Sequence, residues 1–429
     1  MTPQSSFMVL APITPAREAE LRRLLATMND APGRVNVSNP LIPFGQFDTL
    51  HVARLLILDD KTTDDGRAYD LPGRTYPLYL AFLGDVDGDA DEFLEELARR
   101  APAGLRAIFA CCEGFSPDSD LVRWMKQHGA PSAAEYVNWR GRTVRQVREE
   151  AELHASLHRY TQSNPAALTG AQPGEVHAAL QRFVRAETSA GRLTLSAEEA
   201  TPLRPWIGNL VHLIGMPVVL LLTSPLFVLA LLRLRALEST DPVLCDRVDQ
   251  VYSDELALLE DHDVTNQFSA MGSVKPGIVR LWAVIYVLWV IGYGARHVFN
   301  RGRLARVRSI HFARWVYLDG KRRMVFLSNY DGSLESYMDD FMNKVGFGLN
   351  AFFSNGIGYP RTNWLVLDGC GDERKFKDFL RRHQVPTQVW YKAYPGLTAV
   401  DLERNTRIRR GLESSSLSQP EAREWVALI

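Results

Sequence analysis

Cysteine is scarce in this chain: four residues, Cys111, Cys112, Cys245 and Cys370, stand among 429. Their irregular spacing excludes a disulfide framework and a zinc knuckle, so reduced thiols in a reducing compartment are expected. An excess of charge of one sign is lacking too, with 49 basic against 50 acidic residues. There is no global field to draw in nucleic acid, and no nucleic-acid motif appears. The chain has no nucleophile elbow, phosphate-binding glycine loop or dinucleotide fingerprint. No His-x-x-x-His or Cys-x-x-Cys pair is expected to support a metal site. The opening MTPQSSFMVLAPITP lacks the basic region and cleavage site of a signal peptide, so the soluble parts are expected on the cytoplasmic side.

What the chain does have is a long apolar run. LVHLIGMPVVLLLTSPLFVLALL (210–232) carries no formal charge, and at about 1.5 Å of rise per residue it is long enough to cross a hydrocarbon core. Pro217 and Pro225 interrupt it, Gly215 adds a weak point, and Arg204, Arg233 and Arg235 flank it. These features predict a segment that breaks and turns back, monotopic or re-entrant, with both ends on the cytoplasmic face. A second run, LWAVIYVLWVIGYG (281–294), has the length of a buried or interfacial helix, with Trp282, Tyr286 and Trp289 suited to a headgroup zone. Arg296, Arg301, Arg303, Arg306 and Arg308 follow it, where they could meet anionic headgroups, with a solvated basic loop as the alternative. A soluble protein or a homo-oligomer that buries this helix is the alternative.

Around these runs the sequence is duplicated. TLHVARLLILDD (49–60) reads like SIHFARWVYLDG (309–320), and FMVLAPITP (7–15) like FSAMGSVKP (268–276). Each His-x-Ala-Arg strand is followed by an apolar run ending in Asp-Gly, at Asp87 and Asp331. Residues 121–143 align without a gap with 376–398, pairing His128 with His383, Tyr136 with Tyr391, Trp139 with Tyr394 and Thr143 with Thr398. Each copy reads as strand, helix, strand, strand, helix, strand. The fold class expected is α+β: two tandem ferredoxin-like repeats forming an intramolecular dimeric α+β barrel, with a hydrophobic membrane-associated helical insertion between them. The division expected is a first half at 1–160, a linker at 161–267 holding the hydrophobic segment 206–235, a second half at 268–413 with an apolar first helix at 278–296, and a tail at 414–429.

Residues three apart on a strand face opposite ways. His51 and His311 are therefore assigned to the barrel interior, together with Trp315 and Tyr317. Arg54 and Arg314 are assigned to the helix-covered face, as ion pairs with Glu95, Glu96, Asp339 or Asp340, or as anion binders. An inward histidine can act as acid, base or ligand, and a hydrogen-bonded core histidine is the alternative. His128 and His383, at helix ends before a proline, are expected to meet terminal carbonyls. The second copy is richer in polar and aromatic residues, which directs the search for a site to His311, Trp315, Tyr317, Asn329, Asp331 and Asn350.

The turn GDVDG (84–88) has a Gly-x-x-Asp-Gly form that resembles the short motif of dye-decolorising peroxidases, tandem ferredoxin-like proteins that bind haem; the barrel plan is similar to that of chlorite dismutase-like proteins as well. The resemblance implies a haem cofactor, with Asp87 and an arginine, Arg54 or Arg314, working on peroxide. The twin turn SNYDG keeps Asp331 but begins with Ser328. A turn followed by helix caps at Asp89 and Ser333 accounts for the same residues. The function expected is a barrel protein at membrane lipids whose apolar pocket takes a lipophilic small molecule, as a peroxidase-like oxidoreductase. The alternative is a non-catalytic lipid- or ligand-binding scaffold.

Overall fold

Runs rich in Val, Leu and Phe, bounded by Pro, Asp and Gly, form the strands of the computed structural model, which describes residues 4–165, 170–197, 203–244, 247–299, 301–414 and 417–429. Cys245 and the side chain of Arg204 lie outside the described residues. In chain order the first part holds β1 (Gln4–Pro12), α1 (Glu18–Ala26), β2 (Leu50–Leu58), β3 (Tyr79–Asp87), α2 (Ala90–Arg100), α3 (Pro102–Phe109), α4 (Leu121–Gln127) and β4 (Ser132–Val137). The helices α5 (Val144–Ser163), α6 (Pro173–Ser189), α7 (Leu203–Thr240) and α8 (Gln250–Ala257) follow. The last part holds β5 (Thr265–Ser273), α9 (Ile278–His297), β6 (Ile310–Leu318), β7 (Arg323–Asp331), α10 (Leu334–Phe353), α11 (Glu373–His383), β8 (Thr387–Lys392), α12 (Ala399–Glu413) and α13 (Gln419–Val426).

The fold is mixed α+β, with two four-stranded antiparallel sheets ordered β1-β3-β2-β8 and β4-β6-β7-β5. Each sheet takes one edge strand from the other part of the chain, β8 in the first and β4 in the second. The exchange is local and has a backbone cause. Ala130 N donates to Met8 O (2.8 Å) beside β1, and Val385 N donates to Ser269 O (2.8 Å) beside β5. Pro131 and Pro386 come next and have no N–H to continue those ladders, and the chain crosses to the opposite sheet as β4 and β8.

The sheets face one another over a shared core in which Met8, Leu56, Leu58 and Leu83 meet Met271, Val316, Leu318 and Leu327. On the outer face of the second sheet, Trp315, Ala313 and Phe326 pack with Val284 and Leu288 of α9 and Phe352 of α10. This reverses part of the strand assignment made from periodicity. Trp315 lies under the helices, whereas Arg314, Val316 and Leu318 face the other sheet. The reason is a bulge in each copy, between Leu50 and Val52 and between Ile310 and Ala313, whose extra residue puts the histidine and the arginine on the same side.

Both arginines are spent between the sheets, not on the helix acids Glu95, Glu96, Asp339 or Asp340. Arg54 donates to Phe268 O (3.1 Å), Ser269 Oγ (3.0 Å), Ser328 O (2.9 Å) and Asn329 Oδ1. Arg314 makes the mirrored set, to Phe7 O (2.9 Å), Gly84 O (3.2 Å) and Asp85 Oδ1 (2.5 Å). Burial and the neighbouring Arg314 press the Arg54 pKa down to about 9, which leaves it charged at neutral pH. Burial pushes the Asp85 carboxyl above its usual range, against the pull of Arg314.

The apolar run is one uninterrupted helix, α7, and not the broken, re-entrant segment expected from Pro217 and Pro225. At Pro225 the carbonyl of Leu221, four residues back, loses its amide partner, and Ser224 Oγ takes it over at 2.7 Å. The helix runs antiparallel to α9: His212 lies 4.7 Å from His297, Phe227 5.6 Å from Tyr286, and Asp241, just past its end, binds Lys275 (2.9 Å) and Arg280 (2.5 Å).

Arg314→Met should lower the unfolding free energy by about 3–5 kcal/mol in a urea titration, since it strands a buried carboxylate. Adding Asp85→Asn should restore a substantial part of that loss. Additive losses in the double variant would contradict the pairing.

Candidate functional site

The bulges place His51 and His311 at one end of the space between the sheets. His51 Nε2 lies 3.0 Å from Asp87 Oδ1, and His311 Nε2 lies 2.6 Å from Asp331 Oδ1. The far oxygen of each aspartate accepts a helix-starting amide, Val144 N at 2.8 Å and Ala399 N at 2.7 Å. Thr143 and Thr398 cap the same two helices. Each Asp-Gly turn thus ties a histidine to the start of α5 or α12.

Around the paired dyads the copies differ. Tyr394 OH sits 3.0 Å from His51 Nδ1, where its counterpart in the first copy is Trp139. With Nε2–H donated to Asp87, Nδ1 of His51 accepts from the phenol. Burial holds Tyr394 well above the usual tyrosine range, so that phenol remains a donor. Gln4 Nε2 donates to Arg142 O at 2.6 Å. The Arg142 guanidinium is buried 4.1 Å above the Trp139 ring, and its Nε and Nη2 find no hydrogen-bond partner among the described residues. Burial presses its pKa down to about 10, opposed by Glu150, and it stays charged.

These groups line a cavity of about 20 Å³, room for about one water molecule. Ligand clefts commonly enclose about 300–1,000 Å³. A haem does not fit. Asp87 has both oxygens engaged, Arg54 and Arg314 are consumed between the sheets, and neither arginine opens onto the cavity. The acid and the arginines that the Gly-x-x-Asp-Gly resemblance assigned to peroxide, Asp87 with Arg54 or Arg314, are therefore not available to it here.

The other residues singled out from the sequence are dispersed. Trp315 packs edge-on to Phe352 and tilted against Phe326 in the helix-covered core. Tyr317 lies half-buried under the Lys321 ammonium, and Asn329 serves Arg54. Asn350 binds Val366 O, Asp368 O and Cys370 N and fixes a loop. His128 and His383 meet carbonyls as expected, at Trp124 O (2.9 Å) and Phe379 O (2.8 Å). His154 and His158 in α5 do have His-x-x-x-His spacing, with rings 6.3 Å apart, but no group of three metal-ligating side chains occurs among the described residues.

Two further cavities escape sequence reasoning. An apolar one of about 50 Å³ lies between β5, α10 and α9, lined by Val284, Phe326, Phe352, Phe353 and His383. A larger one, about 400 Å³, opens between residues 59–78 and the start of α9. The signal for the second is in the sequence: β2 and β3 are joined by residues 59–78, β6 and β7 by 319–322 alone, so one copy carries an excursion that its twin lacks. No protein-family model matches the chain, and no curated protein or solved structure is significantly similar to it.

Burial holds the His383 imidazole below its usual pKa, so below about pH 6.5 the unfolded chain takes up the proton first and stability falls with falling pH. Urea midpoints measured from pH 7 to pH 5 should decline in the parent and decline less in His383→Asn, whose amide can still reach Phe379 O. Parallel declines would contradict this.

Proposed function

We propose that the two sheets close into one α+β barrel of ferredoxin-like halves, and that the molecule rests on a lipid bilayer with α7 laid in the membrane plane, as a non-catalytic lipid-binding protein. The observation that carries this reading is the apolar surface of α7. Leu221 and Leu222 are each 73% exposed and Leu226 71%, and burying such a side chain is worth about 1.5–3 kcal/mol. Over a helix this long, water is an untenable solvent.

Orientation follows from how α7 is tethered. Near one end Glu238 accepts from Thr362 Oγ1 (2.6 Å) and Leu365 N (2.8 Å), and near the other His212 stacks toward His297. The helix lies along α9, which packs on β4, so both ends return to the same body. Apolar residues of α9, Ile278, Trp282 and Trp289, extend the exposed face. Basic residues bracket both ends of α9, with Lys321, Arg322 and Arg74 near its start and the exposed Arg301, Arg303, Arg306 and Arg308 beyond its end. Cations at both ends suit a helix pair lying at the headgroup level better than one crossing the bilayer. The oxidoreductase reading gains nothing from the geometry, because the dyads enclose no substrate-sized space.

In liposome flotation the full chain should partition onto phosphatidylcholine vesicles, and Leu221→Asp with Leu222→Asp should weaken partitioning about 100-fold or more. A parent chain that stays in the aqueous fraction as an oligomer dissolved by the same two substitutions would replace the bilayer with a protein interface.

A further inference from the structure

The 400 Å³ groove lies in the size range of ligand clefts, and its walls come from both copies. The excursion 59–78 supplies Arg74 and Tyr76, the first turns of α9 supply Ile278 and Leu281, and the tight turn before β7 supplies Lys321 and Arg322. The excursion is a structured connection, with a 3-10 helix of its own at Thr63–Tyr69. It is pinned: Arg323 stacks 4.0 Å over Tyr76, and is itself held by Asp319 at 2.7 Å and Asp60 at 3.5 Å. The groove is therefore preformed.

Its chemistry is two-sided. No aspartate or glutamate lines it, and the one buried cation at its base, Lys275, is ion-paired to Asp241, which it shares with Arg280. Among the described residues Arg74, Lys321 and Arg322 pair with no carboxylate, and all three are exposed. Beside this cationic rim the wall turns apolar at Ile278, 66% exposed, and the apolar surface continues one helical turn on at Trp282, 61% exposed. A bare anion satisfies the rim and wastes the apolar wall; a neutral lipophile does the reverse.

We propose that this groove binds an anionic phospholipid, its phosphate among Arg74, Lys321 and Arg322 and its acyl chains along Ile278 and Leu281 toward the bilayer. The site deepens the membrane-surface reading and rests on it for the supply of lipid, yet it can be tested apart from it. In the detergent-solubilised full chain, dihexanoyl phosphatidylglycerol below its micelle concentration should bind, and Arg74→Glu with Arg322→Glu should weaken binding at least tenfold at an unchanged melting temperature. Inorganic phosphate alone should bind far more weakly. Equal affinity for phosphate would make the groove a phosphate site and overturn the lipid assignment, as would binding that the double variant leaves intact. Flotation separates the two readings. If the variant keeps its partition onto phosphatidylcholine but loses the gain from added phosphatidylglycerol, both stand. If flotation fails while short-chain binding persists and is lost in the variant, the in-plane reading falls and the groove remains.

Discussion

The exchange of edge strands between the two halves is the constraint on which the rest depends. β4 completes the sheet of the second copy and β8 that of the first, so neither sheet is whole without the other half of the chain. Arg54 and Arg314 enforce the arrangement. Each guanidinium leaves its own sheet and finds carbonyls and side-chain acceptors on the opposite one, Ser269 and Asn329 for Arg54 and Asp85 for Arg314. A buried arginine without such partners is costly, so the halves cannot part without stranding both charges.

That constraint decides what the apolar helix can do. The insertion that carries α7 leaves the first half and re-enters the second, and the halves are interlocked, so they share one side of any membrane. A lone crossing would separate them. The long helix folds back along α9 instead, and the polar knot of Glu238, Asp241, Lys275 and Arg280 fastens it there. Ser224 shows how the helix survives Pro225: a side-chain hydroxyl replaces the missing amide. The apolar face is thereby held parallel to the protein surface.

Much of this is legible in the sequence, and the parts that are not have identifiable causes. The duplication is legible because His51 and His311, Asp87 and Asp331, and Thr143 and Thr398 recur in one order at matched spacing, and the structure joins the same residues into matching hydrogen-bond sets. The strand exchange is not legible, since β4 carries the pattern needed to pair within its own copy or with its twin. The bulge is invisible as well: one extra residue reverses the face of Arg54 and Arg314 without altering composition. Pro225 of α7 misleads because propensity ignores the neighbouring Ser224 hydroxyl. The candidate site follows the same division. The histidines and aspartates are found by pattern, whereas Arg142 and the groove at residues 59–78 require the fold to bring them into view.

The orientation of α7 is the claim most directly open to measurement. Spin labels placed singly at Ile214, Leu221 and Leu229, on a chain whose native cysteines are replaced, report depth in phosphatidylcholine vesicles through collisions with oxygen and with a polar relaxant. An α7 that lies in the plane gives the three labels similar, shallow depths. A gradient of about 20 Å from the first label to the last, as the rise of a crossing helix requires, would contradict it.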